Sequence, residues 1–170
     1  KNLTLRNATL EVEVLNLKAL SKKLDKDLTD DLNALLRDAT AKDFTIKIGK
    51  EEFKIHKFIF MARSKLFAEM IKANPDAGDL ELQDIPIETF KEILLFIYQG
   101  TQPKNDSDPL KMFAAASKLK IDGLRNFAAN EAMTIIHTQN AFEYLVVSNK
   151  YNHNELKIKA FSEIKKIFPN

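Results

Sequence analysis

Three histidines, His56, His137 and His153, are the side chains best suited to acid–base or metal chemistry in this 170-residue chain. A metal site needs several ligands converging, and none of the three is paired at a helical or turn spacing with a carboxylate. His137 and His153 fall near helix boundaries and read as solvated. Ser64 lacks the G-x-S-x-G surroundings of a hydrolase elbow. The four glycines fall in neither G-x-G-x-x-G nor P-loop spacing, so no phosphate cradle is encoded. Cysteine is absent, which rules out disulfides, thiolate zinc sites and cysteine nucleophiles within this chain. The expectation is a protein that is not an enzyme and carries no cofactor or metal.

Composition narrows the remaining classes. A hydrophobic share of 45% and a charged share of 29% are those of an ordinary soluble globular chain long enough to bury a core. The 26 basic and 24 acidic residues are interspersed and leave a net charge of +2, which gives no mandate for nucleic acid. No stretch reaches the roughly 18 to 20 apolar residues of a membrane span. No signal-peptide pattern opens the chain and no initiator Met is present, which suggests an excised fragment of an intracellular protein. The N-x-S/T triplets at Asn2, Asn7 and Asn105 then read as chance.

The elements that would position side chains are organised around residues 53–71. Phe53 and Ile55 alternate, the period of a half-buried strand. Beyond Lys57 the apolar residues Phe58, Ile59, Met61, Ala62, Leu66, Phe67, Met70 and Ile71 recur three and four apart, as on a helix face. Ser64 interrupts them at a helix N-cap, which predicts a short helix followed by a second one. Upstream, Leu10, Val12 and Val14 alternate with Glu11 and Glu13, which predicts a strand with one wet face. From Leu17 the period is helical through Leu20, Leu24, Leu28, Leu32, Leu35 and Leu36, as one helix or as two meeting near Leu28. Phe44, Ile46 and Ile48, a Gly49-Lys50-Glu51 turn and residues 52–55 form a hairpin. Leu80 and Leu82 mark a further short strand. Pro86 starts a helix that Gly100 ends. Helices follow from Leu110 onward, with Thr138 capping one that carries Phe142, Leu145 and Val146. A last helix carries Leu156, Ile158, Phe161, Ile164 and Ile167. A small sheet followed by many helices is an α+β arrangement.

The run F-x-x-H-K-x-I-x-x-A-R-S-x-x-F-x-x-M, read at Phe53, His56, Lys57, Ile59, Ala62, Arg63, Ser64, Phe67 and Met70, resembles the core of a BTB/POZ domain. It is most similar to the speckle-type POZ (MATH-BTB) cullin-3 adaptors. Leu80 to Gly100 resembles the family's strand and helix with its "FIYTG"-like end. Ala114 to Leu119 resembles its "AAxKY" helix, with Leu119 in place of the usual tyrosine. Asn140 to Ile167 resembles the helix pair that follows BTB domains in cullin adaptors. The resemblance implies a small mixed sheet flanked by a helical cluster, with a C-terminal helical pair (a partial BACK-like box). The implied division is residues 1–18 as the terminal strand of a preceding MATH-like domain or a linker, 19–137 as the BTB/POZ domain and 138–170 as the helical pair. On the family pattern His56 is a buried structural histidine.

The resemblance also implies partners. Leu28, Leu32, Leu35 and Ile59 match the family's homodimer interface. Three leucines at i, i+4 and i+7 form an apolar strip that a two-fold axis lets face its own copy; the alternative is that they cover the monomer's own core. Asp43 and Lys57 match an acidic–basic pair near the dimer floor, buried and mutually neutralised. Docking of the cullin-3 N-terminal domain falls on Met70, Ile71, Lys72, Ala73, Asn74 and Leu119. Here the chain departs from the family, since the loop at Lys72 to Asp76 lacks the usual hydrophobe-x-Glu motif. The implied function is a homodimeric substrate adaptor of a cullin-3 ubiquitin ligase, in the nucleus or cytoplasm, with substrate read by a missing upstream domain. The competing reading is a BTB self-association scaffold, as in transcriptional repression, that binds no cullin. Neither reading involves nucleic acid or membrane.

Overall fold

The computed structural model describes residues 2–38, 40–104 and 106–167. Asn105, one of the N-x-S/T positions, lies outside the described residues. The chain opens with a single helix, α1 (Asn2–Arg37), rather than with a strand. Residues 10–14 are therefore helical where the alternation predicts a strand. Leu10, Val14 and Leu17 also lie at i, i+4 and i+7, so the same residues satisfy both periods. Among the described residues no strand pairs with this segment, and the helix satisfies its backbone groups internally. Leu17, Leu20 and Leu28 stay exposed, while Leu32 and Leu36 are half-buried near the end of the helix, where α1 meets α4. Asp38 ends the helix: its carboxylate accepts from the Thr40 amide and hydroxyl, which holds it below the usual carboxylate range.

A three-stranded mixed sheet follows, in the order β2-β1-β3. The strands β1 (Phe44–Ile48) and β2 (Glu51–Ile55) form the expected hairpin, with Ile46 opposite Phe53. Gly49 supplies the positive φ (59°) that a two-residue hairpin loop requires. The third strand, β3 (Asp79–Glu81), pairs parallel to β1, with Ile46 opposite Leu80. Phe44, Ile46 and Ile48 all point into the core, as their alternation predicts.

Two short helices, α2 (Lys57–Arg63) and α3 (Lys65–Ala73), meet at Ser64. Its buried Oγ accepts from the Phe67 amide at 3.2 Å and donates to the Leu119 carbonyl at 2.5 Å. One hydroxyl thus caps α3 and ties it to the end of α5. Ser64→Ala removes both partners at a site excluded from water and should cost about 1 to 3 kcal/mol, read as a lowered urea midpoint at unchanged slope. A loss too small to measure would mean that the cap has no energetic weight.

Helix α4 (Ile87–Gln99) runs from Pro86 to Gly100, whose left-handed backbone (φ 65°) closes it as the sequence indicates. Phe90, Ile93, Ile97 and Tyr98 form its buried face. Next come α5 (Pro109–Lys118), capped by Asp108, and α6 (Asp122–Ile135). The chain then forms a helical hairpin of α7 (Ala141–Lys150) and α8 (Asn154–Lys165). Asn140, not Thr138, occupies the N-cap of α7, and its Oδ1 accepts from the His137 amide at 2.8 Å. His153 is half-buried rather than fully solvated. Its Nδ1 accepts from the Leu156 amide to cap α8, its ring meets Phe113 edge-on at 5.3 Å, and burial pushes its pKa below the ordinary histidine value. Phe113 also meets Tyr151 at 6.2 Å, so one fully buried ring of α5 holds the turn of the α7–α8 hairpin.

Candidate functional site

Of the four residues singled out as a self-association strip, three line one hollow. Leu28 and Leu32 of α1, Ile59 of α2 and the C-terminal end of α4 at Ile97–Gly100 line one shallow depression of about 320 Å³. Leu28 is 60% exposed, while Leu32 and Ile59 are half-buried. Leu35 lies less than one turn beyond Leu32 on α1, exposed but outside the depression. Apolar side chains presented from two helices over a hollow are suited to burying a partner's apolar surface; they offer no nucleophile or base. The charge here is Arg63, whose guanidinium lies 5.4 Å from the Phe96 ring centroid.

Phe58 is the residue that sequence reasoning missed. Its helical spacing assigns it to the apolar core face, yet it is 77% exposed on the turn that carries Ile59. The available signal was local: Ile59 and Phe60 follow directly, and three consecutive residues cannot share one helix face. Phe60 takes the inward position, and Phe58 is left outside.

The acidic–basic pair is not what the resemblance implies. Asp43 is exposed and Lys57 half-buried, and no ion pair joins them. Instead Asp43 Oδ1 accepts the Lys57 backbone N–H at 2.7 Å, capping the first turn of α2 from the strand side. The Lys57 ammonium donates to the Pro75 carbonyl at 3.1 Å and lies 5.7 Å from the centroid of the Phe44 ring. A short carboxylate reaching a helix N-terminus satisfies an orphan amide, so the pairing is backbone to side chain and needs no buried charge.

The cullin-docking set divides in two. Ile71 and Leu119 are core residues, 6% and 4% exposed, and so cannot themselves be contact residues. Leu119 instead supplies the carbonyl that Ser64 bonds. Met70 is half-buried, and Lys72, Ala73 and Asn74 form an exposed lip at the end of α3. Position 119 therefore lies in the packing beneath the surface.

His56 is 8% exposed at the N-cap of α2. Tyr98 Oη accepts its amide N–H at 3.0 Å and lies 2.8 Å from its Nδ1. The Tyr98 hydroxyl and Nδ1 share a second hydrogen bond whose direction follows the imidazole tautomer, while the buried Nε2 has no partner among the described residues. Burial pushes the Tyr98 phenol above its ordinary pKa and so keeps it protonated. The pair fastens α2 to α4 and faces no open site. Among the described residues, no group of three His, Asp or Glu side chains is placed to hold a metal ion.

A family model for the BTB/POZ domain matches residues 32–135, more than half of the chain. The chain belongs to the BTB/POZ family. The match begins in the last turns of α1 and ends with α6, so the α7–α8 hairpin lies beyond it. Among curated relatives, mouse TD and POZ domain-containing protein 2 is 30% identical over 138 residues, covering 78% of this chain and 38% of that protein. The chain thus spans well under half the length of that relative. Among solved structures, the BTB domain of zebrafish PATZ1 superposes with a TM-score of 0.55 at 24% identity, covering 64% of this chain and 89% of that one. The BTB domain of human gigaxonin gives 0.55 at 23% identity, covering 61% and 86%. These two likenesses concern the fold: a small mixed sheet of three strands packed in helices, with further helices C-terminal. The BTB/POZ fold is a protein-interaction fold, and the chain is such a module. No helix among the described residues is long and apolar enough to cross a membrane.

Proposed function

We propose that this BTB/POZ chain forms a homodimer through Leu28, Leu32, Leu35 and Ile59 and serves as the substrate adaptor of a cullin-3 ubiquitin ligase inside the cell. The observation that carries the dimer is the depression where α1, α2 and α4 present Leu28, Leu32 and Ile59 uncovered on a fold whose members generally self-associate. An isologous contact across a two-fold would bury each strip against its copy. The cullin reading rests on the exposed lip at Lys72, Ala73 and Asn74 with Met70 behind it, and on the α7–α8 hairpin following the BTB domain. Residues 19–137 would form the BTB module and 138–170 the helical extension. Substrate would be read by a domain upstream of this chain. Two cullins and two substrates on one dimer raise effective concentration without any new contact, and catalysis lies on the ligase's E2 partner.

The scaffold reading, a self-associating module without a cullin, is favoured by one observation. The α3 loop carries no hydrophobe-x-Glu motif, and the burial of Ile71 and Leu119 removes two of the six candidate contacts. Calorimetry of the whole chain against the cullin-3 N-terminal domain separates the readings. A Kd below about 1 μM, weakened at least roughly tenfold by Asn74→Arg, is the adaptor result. No heat at tens of micromolar, about −6 kcal/mol or weaker, with the dimer intact, overturns the adaptor and leaves the scaffold.

A further inference from the structure

The α7–α8 hairpin carries more apolar side chains than its inner face can use. Ala141, Tyr144 and Ser148 of α7 and Leu156, Ala160 and Ile164 of α8 are buried toward the domain. On the outside, Phe142, Val146, Ile158 and Phe161 are each between 50% and 69% exposed. At about 100° per residue, Phe142 and Val146 share the outer side of α7, with half-buried Leu145 between them and the buried face. Ile158 and Phe161 then floor an open groove of about 570 Å³ along α8, with Leu145 of α7 on one side.

The rim of that groove is cationic. Lys157 and Lys165 line it, and neither pairs with a carboxylate among the described residues. The Lys157 ammonium donates to Asn149 Oδ1 at 2.8 Å, and the Lys165 ammonium lies 5.0 Å from the Phe161 ring centroid. The acids of α8 are turned elsewhere. Glu163 is buried and engaged by Lys159 and Lys166, and Glu155 lines a separate cleft beside Asn126 and Asn130.

We infer that this groove docks an amphipathic helix of a partner protein, with its apolar stripe on Leu145, Ile158 and Phe161 and acidic side chains facing Lys157 and Lys165. A third helix laid along a helical hairpin buries both outer faces at once, and a groove between helices has no backbone edge with which to hold a strand. Positions 157, 161 and 165 stand one turn apart, so the two lysines lie about 12 Å apart along α8 and call for acids roughly two turns apart on the ligand. A helix with basic flanks is excluded by like-charge repulsion across the same rim. The surface is separate from the α1–α2 strip, so this inference stands whether or not the dimer forms.

The test is fluorescence anisotropy with the whole chain and a labelled, helix-stapled peptide of about five turns, leucine at i, i+4 and i+7 and glutamate on the flanks. Its counterpart carries lysine on the flanks. The expected result is saturable binding of the glutamate peptide at tens of micromolar, a typical range for a small single-helix contact. The lysine peptide should bind at least about tenfold more weakly. Ile158→Glu with Phe161→Glu should abolish binding, and Lys157→Glu with Lys165→Glu should weaken it roughly fivefold at low salt and less at high salt. All four positions are solvent-facing, so an unchanged thermal midpoint certifies that the variants fold. Equal binding of both peptides, indifference to the variants, or no binding overturns the proposal. So does a concentration-dependent mass that Ile158→Glu with Phe161→Glu removes, since the occupant would then be a second copy of the chain.

Discussion

Replacing Leu28, Leu32, Leu35 and Ile59 together by glutamate should halve the mass measured by light scattering. In a two-fold dimer each protomer contributes the same strip, so four substitutions place eight carboxylates in one contact. Fully burying a leucine or isoleucine is worth about 1.5 to 3 kcal/mol, and a carboxylate in its place must instead be desolvated beside its own copy. Both changes act in the same direction, and together they exceed what an ordinary dimer interface can lose. Leu32 and Ile59 are half-buried in the monomer, so the quadruple variant also risks the fold. The double variant Leu28→Glu with Leu35→Glu touches only exposed side chains and should weaken dimerisation while leaving the thermal midpoint in the monomer unmoved. Phe58→Ser, on the adjoining turn of α2, should act the same way if that exposed ring belongs to the interface. A wild-type chain of monomer mass at micromolar concentration, or a quadruple variant that folds and keeps its mass, sinks the dimer.

The second large effect is expected at Phe60. Its ring is 1% exposed and lies 5.5 Å from Phe67, 6.4 Å from Phe90 and 6.5 Å from Tyr98, edge-on or tilted to each. Phe44 and Phe53 extend the cluster through Phe67 and Phe90, so one ring on α2 joins the sheet, α3 and α4. Phe60→Ala removes the ring and leaves a cavity whose walls are held in place. Asp43 fixes the start of α2, Ser64 fixes its end, and the His56–Tyr98 bonds fix its distance from α4. Collapse is restricted, which puts the loss in the usual range for a buried Phe→Ala, about 3 to 5 kcal/mol by urea denaturation. Phe60→Leu, which keeps more of the volume, should cost less. A loss under about 1 kcal/mol for the alanine variant would show that the surrounding rings close over the gap and that this cluster does not hold the three elements together.

Local chemistry was legible wherever one residue type decides one backbone state. The alternation at Phe44, Ile46 and Ile48, Ser64 as a helix cap and the Pro86-to-Gly100 helix each depend on neighbours within a few residues, and each is seen in the fold. The gathering of Leu28, Leu32 and Ile59 was readable because motif order along the chain implied the topology that brings them together. What the sequence left undecided was every choice between two faces or two periods. Leu10, Val14 and Leu17 fit both a strand and a helix, and the segment is helical in the fold. Apolar residues all round α7 and α8 show no inside until α5 and α6 cover one side, which buries Tyr144 and Leu156 and exposes Phe142, Val146 and Ile158. Asp43 and Lys57 suggest an ion pair by charge alone, and only the approach of β1 to the start of α2 turns the carboxylate to a backbone amide. Side-chain type and spacing determined the elements and their family, because those depend on short-range sterics and hydrogen bonding. Burial, and with it the surfaces left for partners, was decided by tertiary structure, because a side chain is covered only by what the rest of the chain places against it.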